Sequence, residues 1–285
     1  MAKTSIYKTD EGKEQIIKYY NSLLSQWTQP SRQFYIDTQL GKTHIIESGN
    51  KENPAILLLH GTGSNSAMWT YDAKILSETF HVFAIDIPGE CGKSSENRPD
   101  FKDENYSNWI SAITKNLGLN QVSLIGCSLG GWIAMDYAIN HPDKVDKLIL
   151  MATAGVTQIK LKSVLWIILT SLTGSWGFNQ LNKMVYGNLT IDSQALEFAS
   201  LIKKYFIPRT GALPVFTNES LGKIKASTLF IGGENDCFYN SEKAASRLKE
   251  YVDNIQCHVL KNTGHILIDQ TTKILEFLKT DYNEI

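Results

Sequence analysis

Apolar residues first recur at helical spacing. Over residues 11–27, Ile16, Ile17, Tyr20, Leu23, Leu24 and Trp27 fall on one face, and Pro30 closes the segment. Two short strand-like pieces follow, Gln33–Thr38 and Lys42–Glu47, with Gly41 between them, which predicts a hairpin. From Ala55 the rhythm changes. AILLLH, HVFAID, QVSLIG, KVDKLILM, STLFIG and IQCHVL are short, continuous apolar runs, and helical stretches separate most of them. Strands that are apolar on both sides are covered on both faces, as in a parallel sheet wound with helices. The expected fold is α/β, a doubly wound, mostly parallel sheet with an antiparallel hairpin at its N-terminal edge.

The alternation breaks at residues 153–217, which hold the apolar run Leu161–Leu172 and a helical ALEFASLIKKYF. The sheet rhythm resumes at Ala226. The reading is a core of residues 1–152 and 218–285 with a helical cap inserted at 153–217; the alternative is extra crossover helices in the same layer. The 285 residues are enough to bury a core without disulfide or metal.

Charge narrows the class. With 28 Lys+Arg against 29 Asp+Glu the net charge is −1, and with no long block of like charge this argues against a dedicated nucleic-acid binder and a polybasic membrane anchor. Leu161–Leu172 falls short of the roughly twenty residues that a spanning helix needs. Cys91, Cys127, Cys237 and Cys257 form no Cys-x-x-Cys pair and suit a reducing compartment. The N-terminus lacks the apolar run of a signal peptide, so the expected location is the cytoplasm.

The chemistry centres on Gly126-Cys127-Ser128-Leu129-Gly130, which follows an apolar run and opens a helix. This is G-x-S-x-G in strand–turn–helix context, a turn sharp enough to strain the serine and to exclude side chains at 126 and 130. A serine hydroxyl needs a base. Of six histidines, His265 lies in a loop after the last strand, where it can reach Ser128; His44, His81 and His258 read as strand residues, and His141 as a helix cap. The base needs an acid. Asp236 follows STLFIGG, and Glu234, two residues earlier, is the competing carboxylate. Acyl transfer also needs N–H donors for an oxyanion. These are assigned to the Leu129 backbone and to Thr62 in the loop His60-Gly61-Thr62-Gly63-Ser64, which lacks the features of a phosphate-binding loop.

The chain resembles the α/β-hydrolase fold family from about residue 40 onward. The likeness rests on HGTG at 60–63, GCSLGG at 126–131, GGEND at 232–236 and TGH at 263–265. It implies Ser128 as nucleophile, Asp236 as acid, His265 as base, and Thr62 and Leu129 as the oxyanion hole. Asp86-Ile87-Pro88-Gly89-Glu90-Cys91-Gly92-Lys93-Ser94 also resembles a family loop, with one extra residue between the glycines and a structural role for Asp86. Serine at 128 disfavours the aspartate-nucleophile dehalogenases and epoxide hydrolases. The expectation is a serine hydrolase of small to medium uncharged carboxylic esters, without cofactor or metal. Its substrate is a small molecule, and an apolar pocket is expected from Met68, Trp69, Trp166, Ile167, Ile168, Trp176, Phe178, Met184, Tyr186, Phe198 and Phe206. The alternatives are a hydrolase of another bond (thioester, lactone, amide or C–C) and a ligand-sensing protein with a retained triad.

Overall fold

The computed structural model describes residues 5–280 except 172, 188, 190, 191, 210 and 212, and leaves out the side chains of 171 and 175. Its strands are β1 (Ser31–Thr38), β2 (Gly41–Ser48), β3 (Ala55–Leu59), β4 (His81–Ile85), β5 (Val122–Cys127), β6 (Val145–Met151), β7 (Ser227–Gly233) and β8 (Ile255–Leu260). The helices before β6 are α1 (Asp10–Leu24), α2 (Thr70–Leu76), α3 (Asn105–Asn116) and α4 (Leu129–Asn140). After β6 come α5 (Leu161–Ser171), α6 (Gly174–Tyr186), α7 (Ser193–Tyr205), α8 (Asn218–Leu221), α9 (Ser241–Tyr251) and α10 (Thr271–Lys279).

All eight strands form one sheet in the order β1-β2-β4-β3-β5-β6-β7-β8. β2 runs antiparallel to both β1 and β4, and the strands from β4 to β8 are parallel. The doubly wound, mostly parallel sheet and its hairpin edge therefore stand as the apolar runs predict. Burial explains the pattern. Every residue of β3, β4 and β7 is buried, whereas the edge strand β1 is largely exposed. Successive side chains of β3 divide between two cores: Leu57 and Leu59 pack with Phe83 and Ile85 on one face, Ile56 and Leu58 with Val82 and Ala84 on the other.

The first helix is one turn shorter than its periodicity suggests. Thr9 caps it by accepting from the Gly12 N–H at 3.0 Å, and it ends at Leu24. Trp27 lies beyond the helix, with its indole N–H on Ser48 Oγ at 3.0 Å, so a buried side chain past the last turn extended the apparent period.

Strand order fixes the location of the chemistry. β3 sits between β4 and β5, so the chain leaves the centre of the sheet in both directions from this point. Loops at the carboxyl ends of strands flanking such a reversal open into one crevice. The loop after β3 and the turn after β5 are neighbours because Leu59 pairs with Gly126.

Candidate active site

Ser128 lies between β5 and α4 with φ 52° and ψ −106°. A left-handed φ at a non-glycine residue is strained and has to be held by its surroundings. Its N–H donates to Met151 O at 2.9 Å, and its carbonyl accepts from Ala154 N at 3.2 Å and Trp132 N at 3.1 Å. The two motif glycines are steric requirements. A Cβ at Gly130 would overlap the Leu59 carbonyl, and one at Gly126 would overlap the Gly130 carbonyl.

His265 and Asp236 come from neighbouring strands. β7 ends at Gly233 and β8 at Leu260, and the loops that follow pack closely: Asn235 N donates to Thr263 O at 2.9 Å. Asp236 is buried. Its Oδ1 accepts from the N–H groups of Phe238 (2.7 Å) and Tyr239 (3.1 Å), which leaves Oδ2 to receive His265 Nδ1–H at 2.8 Å. That bond sets the tautomer. The unprotonated Nε2 faces Ser128 Oγ at 3.3 Å and can accept the hydroxyl proton. Serine, histidine and aspartate thus form a continuous relay. Glu234, the competing carboxylate, is exposed and accepts from Asn262 N at 3.0 Å instead.

The loop after β3 lies beside Ser128, and a methyl group at Gly61 would sit 3.6 Å from Ser128 Cβ. His60 anchors the start of this loop. Its Nδ1–H donates to Gly61 O at 2.8 Å, and its Nε2 accepts from Ile87 N at 2.9 Å. Burial holds its pKa below the ordinary value, so it serves as a neutral brace. Leu129 is the first residue of α4, where backbone N–H groups lack intrahelical acceptors and the helix dipole favours negative charge. Neither Thr62 N nor Leu129 N donates to a backbone acceptor among the described residues, so both are available to a substrate.

Two features were not legible in the sequence. The first is a second histidine–carboxylate pair. His44 Nδ1 lies 2.9 Å from Asp86 Oδ2, and Asp86 also accepts from Tyr20 Oη, Ser66 N and Lys93 N. Burial alone would raise Asp86, but the His44 hydrogen bond and charge hold it well below the carboxylate range. It ties β2, α1 and two loops together, a structural role as the motif implied. The second is Glu90, also buried, which accepts from Gly63 N at 2.7 Å. Burial pushes its pKa up to about 7, against the pull of that N–H, Arg98 and Arg209.

The cysteines are free. Burial raises the Cys127 thiol to about 12, and it raises Cys91 well above the ordinary value. Both are inert packing groups near neutrality.

The apolar side chains expected to line a pocket divide differently. Trp166, Ile168 and Trp176 are exposed, whereas Trp69 and Phe206 are packed into core clusters. Periodicity marks an apolar stripe without saying which way it faces. The groups beside the relay are Phe238, with its ring 4.7 Å from His265, and Tyr239 at 6.1 Å. On the loop after β3, a methyl at Gly63 would meet Ile202 of α7 at 3.8 Å.

A central parallel sheet with an elbow serine and a histidine–carboxylate pair at its carboxyl edge defines a class, the hydrolases of this architecture. Comparison with known proteins agrees. A family model described as alpha/beta hydrolase fold matches residues 54–170. Carboxylesterase YbfK of Bacillus subtilis is 30% identical over 257 residues, 87% of this chain and 86% of that protein. An uncharacterized carboxylesterase, nap, of the same organism is 28% identical over 278 residues, 93% of this chain and 91% of that protein. The crystal structure of the B. subtilis carboxylesterase CesB (YbfK) superimposes with a TM-score of 0.84 at 27% identity, covering 94% of this chain and 99% of that one. The chain belongs to the α/β-hydrolase fold family and is an enzyme of its carboxylesterase-like branch.

Proposed function

We propose that this enzyme is a serine carboxylesterase acting through an acyl-enzyme on Ser128. The observation that carries the reading is the unbroken Ser128–His265–Asp236 relay. Ser128 Oγ attacks the ester carbonyl carbon while His265 Nε2 takes its proton. Asp236 holds the imidazole in place and stabilises the imidazolium. The carbonyl oxygen becomes an oxyanion held by the Leu129 and Thr62 N–H groups. Collapse breaks the bond to the alcohol, which leaves with the proton from His265. Water then gives a proton to His265 and attacks the acyl carbon, releasing the acid and returning the proton to Ser128. The 3.3 Å serine–histidine separation is long for a hydrogen bond, as is common before substrate binds, and it tightens in the complex.

Residues 153–217 form the cap in this reading, and its support is contact with all three site loops. At the start of α5, Lys160 Nζ donates to Asp236 O at 2.6 Å, and Ser163 Oγ donates to Cys237 O. Gly187, at the end of α6, lies against Gly264. Ile202 of α7 lies against the Gly63 loop. A site flanked by Phe238 and Tyr239 and approached from the cap by Ile202 suits small to medium uncharged esters. Free thiols fit a cytoplasmic location. Among the described residues no helix is long and apolar enough to cross a membrane.

The test is turnover of p-nitrophenyl esters from acetate to palmitate by wild type and Ser128→Ala. Turnover lost in the variant, with an optimum at short to medium chains, is the expected result. Equal rates in both proteins would remove Ser128 from the mechanism. A folded wild type inactive on every ester would move the reaction to another bond or leave a ligand-sensing role.

A further inference from the structure

Building on the serine-esterase reading, we propose that Glu90 is a positioning residue for the oxyanion hole, its carboxyl group holding the Gly63 N–H so that the Thr62 N–H stays turned toward the carbonyl oxygen of the ester that Ser128 attacks. The geometry is specific. Glu90 is 1% exposed, Oε2 sits 2.7 Å from Gly63 N, and Oε1 is buried without a hydrogen-bond partner among the described residues.

A carboxyl group buried on these terms is costly, and a side chain that only filled space would do so better as an apolar one. The one thing it does here that an apolar group could not is accept from the loop after β3. That loop needs an external hold. Gly63 adopts φ +66°, and His60 braces only the beginning of the loop. The far end is fixed to the Asp86–Ser94 loop by Glu90, by Asn65 Nδ2 on Cys91 O at 3.1 Å, and by Cys91 Sγ on Ser64 O at 3.2 Å. Of these, the Glu90 bond acts on the peptide that joins Thr62 to Gly63, the peptide unit next to the proposed donor. Oxyanion donors act only when held within about 0.5 Å of their productive position.

Glu90 is also built to do this with little opposing charge. Burial raises its titration to about 7, against the pull of Arg98 and Arg209, so below neutrality the group is mostly neutral. Glu90 lies in the stretch between Gly89 and Gly92, which carries one more residue than the family pattern it resembles. Gly89 turns at φ +80°, and Glu90 N donates back to Ile87 O at 3.2 Å.

The experiment compares wild type, Glu90→Met, Glu90→Gln and Glu90→Asp on one p-nitrophenyl ester, with Ser128→Ala as reference. It measures kcat, KM, melting temperature and the inhibition constant of a trifluoromethyl ketone, which forms a tetrahedral adduct. Glu90→Met keeps the bulk and loses the acceptor. It should lose about tenfold to a hundredfold in kcat and a similar factor in inhibitor affinity, with KM within about twofold. Glu90→Gln, which keeps an acceptor at full reach, should recover most of that loss. Glu90→Asp, one methylene shorter, should not. A kcat for Glu90→Met within twofold of wild type, or equal losses in Gln and Met, would overturn the proposal. Should Glu90→Met not fold, the Gln and Asp pair decides alone: Asp active and Gln inactive would overturn it. Turnover surviving in Ser128→Ala would remove the esterase reading and this proposal with it.

Discussion

At the scale of single residues, the site divides into groups that react and groups that aim them. Asp236 aims. Its Oδ2 is committed to His265 and its Oδ1 to two backbone N–H groups, so Asp236→Asn presents an amide that reverses the histidine tautomer. A loss of about 10⁴-fold in kcat is expected, with the fold intact by circular dichroism. Glu234→Gln should change kcat by no more than a few-fold, because that carboxylate is exposed and accepts from Asn262 N rather than from His265. The reverse ranking would move the acid to Glu234. Gly130→Ala meets the Leu59 carbonyl, so the variant should unfold several degrees or more below wild type in a thermal melt. Ser128, Asp236 and His265 were legible because each follows an apolar run at a strand's carboxyl end, and chain order fixes the rest. The His44–Asp86 pair and the burial of Glu90 were not. The first depends on β2 meeting the loop after β4, the second on that loop meeting the loop after β3, and no local pattern encodes either meeting.

At the scale of elements, the apolar runs gave the strands to within a residue or two because burial on both faces leaves little choice of side chain. The facing of α5 and α6 was hidden. Their stripe is apolar, yet Leu161, Leu165, Trp166, Ile168, Leu169 and Trp176 are exposed. A strand position that periodicity would not have chosen is Lys147 in β6, which is buried. Its ammonium donates to Phe277 O and Leu278 O at 3.0 Å each, and to Thr280 O, at the carboxyl end of α10. Terminal helix carbonyls lack intrahelical donors and attract cations. Lys147→Met should cost about 1–3 kcal/mol in denaturant unfolding while leaving kcat unchanged, since α10 follows the His265 loop without entering the site. A loss of activity without a loss of stability would contradict that reading of the helix end.

At the scale of the whole molecule, stability should carry the mark of Glu90. A carboxyl group raised from 4.5 to about 7 binds its proton more tightly folded than unfolded. Its contribution is fully present below about pH 4.5 and is lost as pH rises through about 7. Glu90→Gln cannot titrate, so wild type should lose ground to it by up to roughly 1.4 kcal/mol per pH unit between these limits. Chemical denaturation of both proteins from pH 5 to 8 reads this directly, and parallel stability curves would show that Glu90 is not buried as described. The same fold places every group of the proposed mechanism on the carboxyl edge of one sheet, with Thr62 and Ser128 following the central strands β3 and β5, and Asp236 and His265 following β7 and β8. The claim on which the rest depends is that Ser128 is the nucleophile. It is tested most directly by labelling the protein with a fluorophosphonate and mapping the adduct by peptide mass spectrometry. One label per chain on Ser128, with esterase turnover falling in proportion, is the predicted result; a label on another residue, or full turnover in the fully labelled protein, would contradict it.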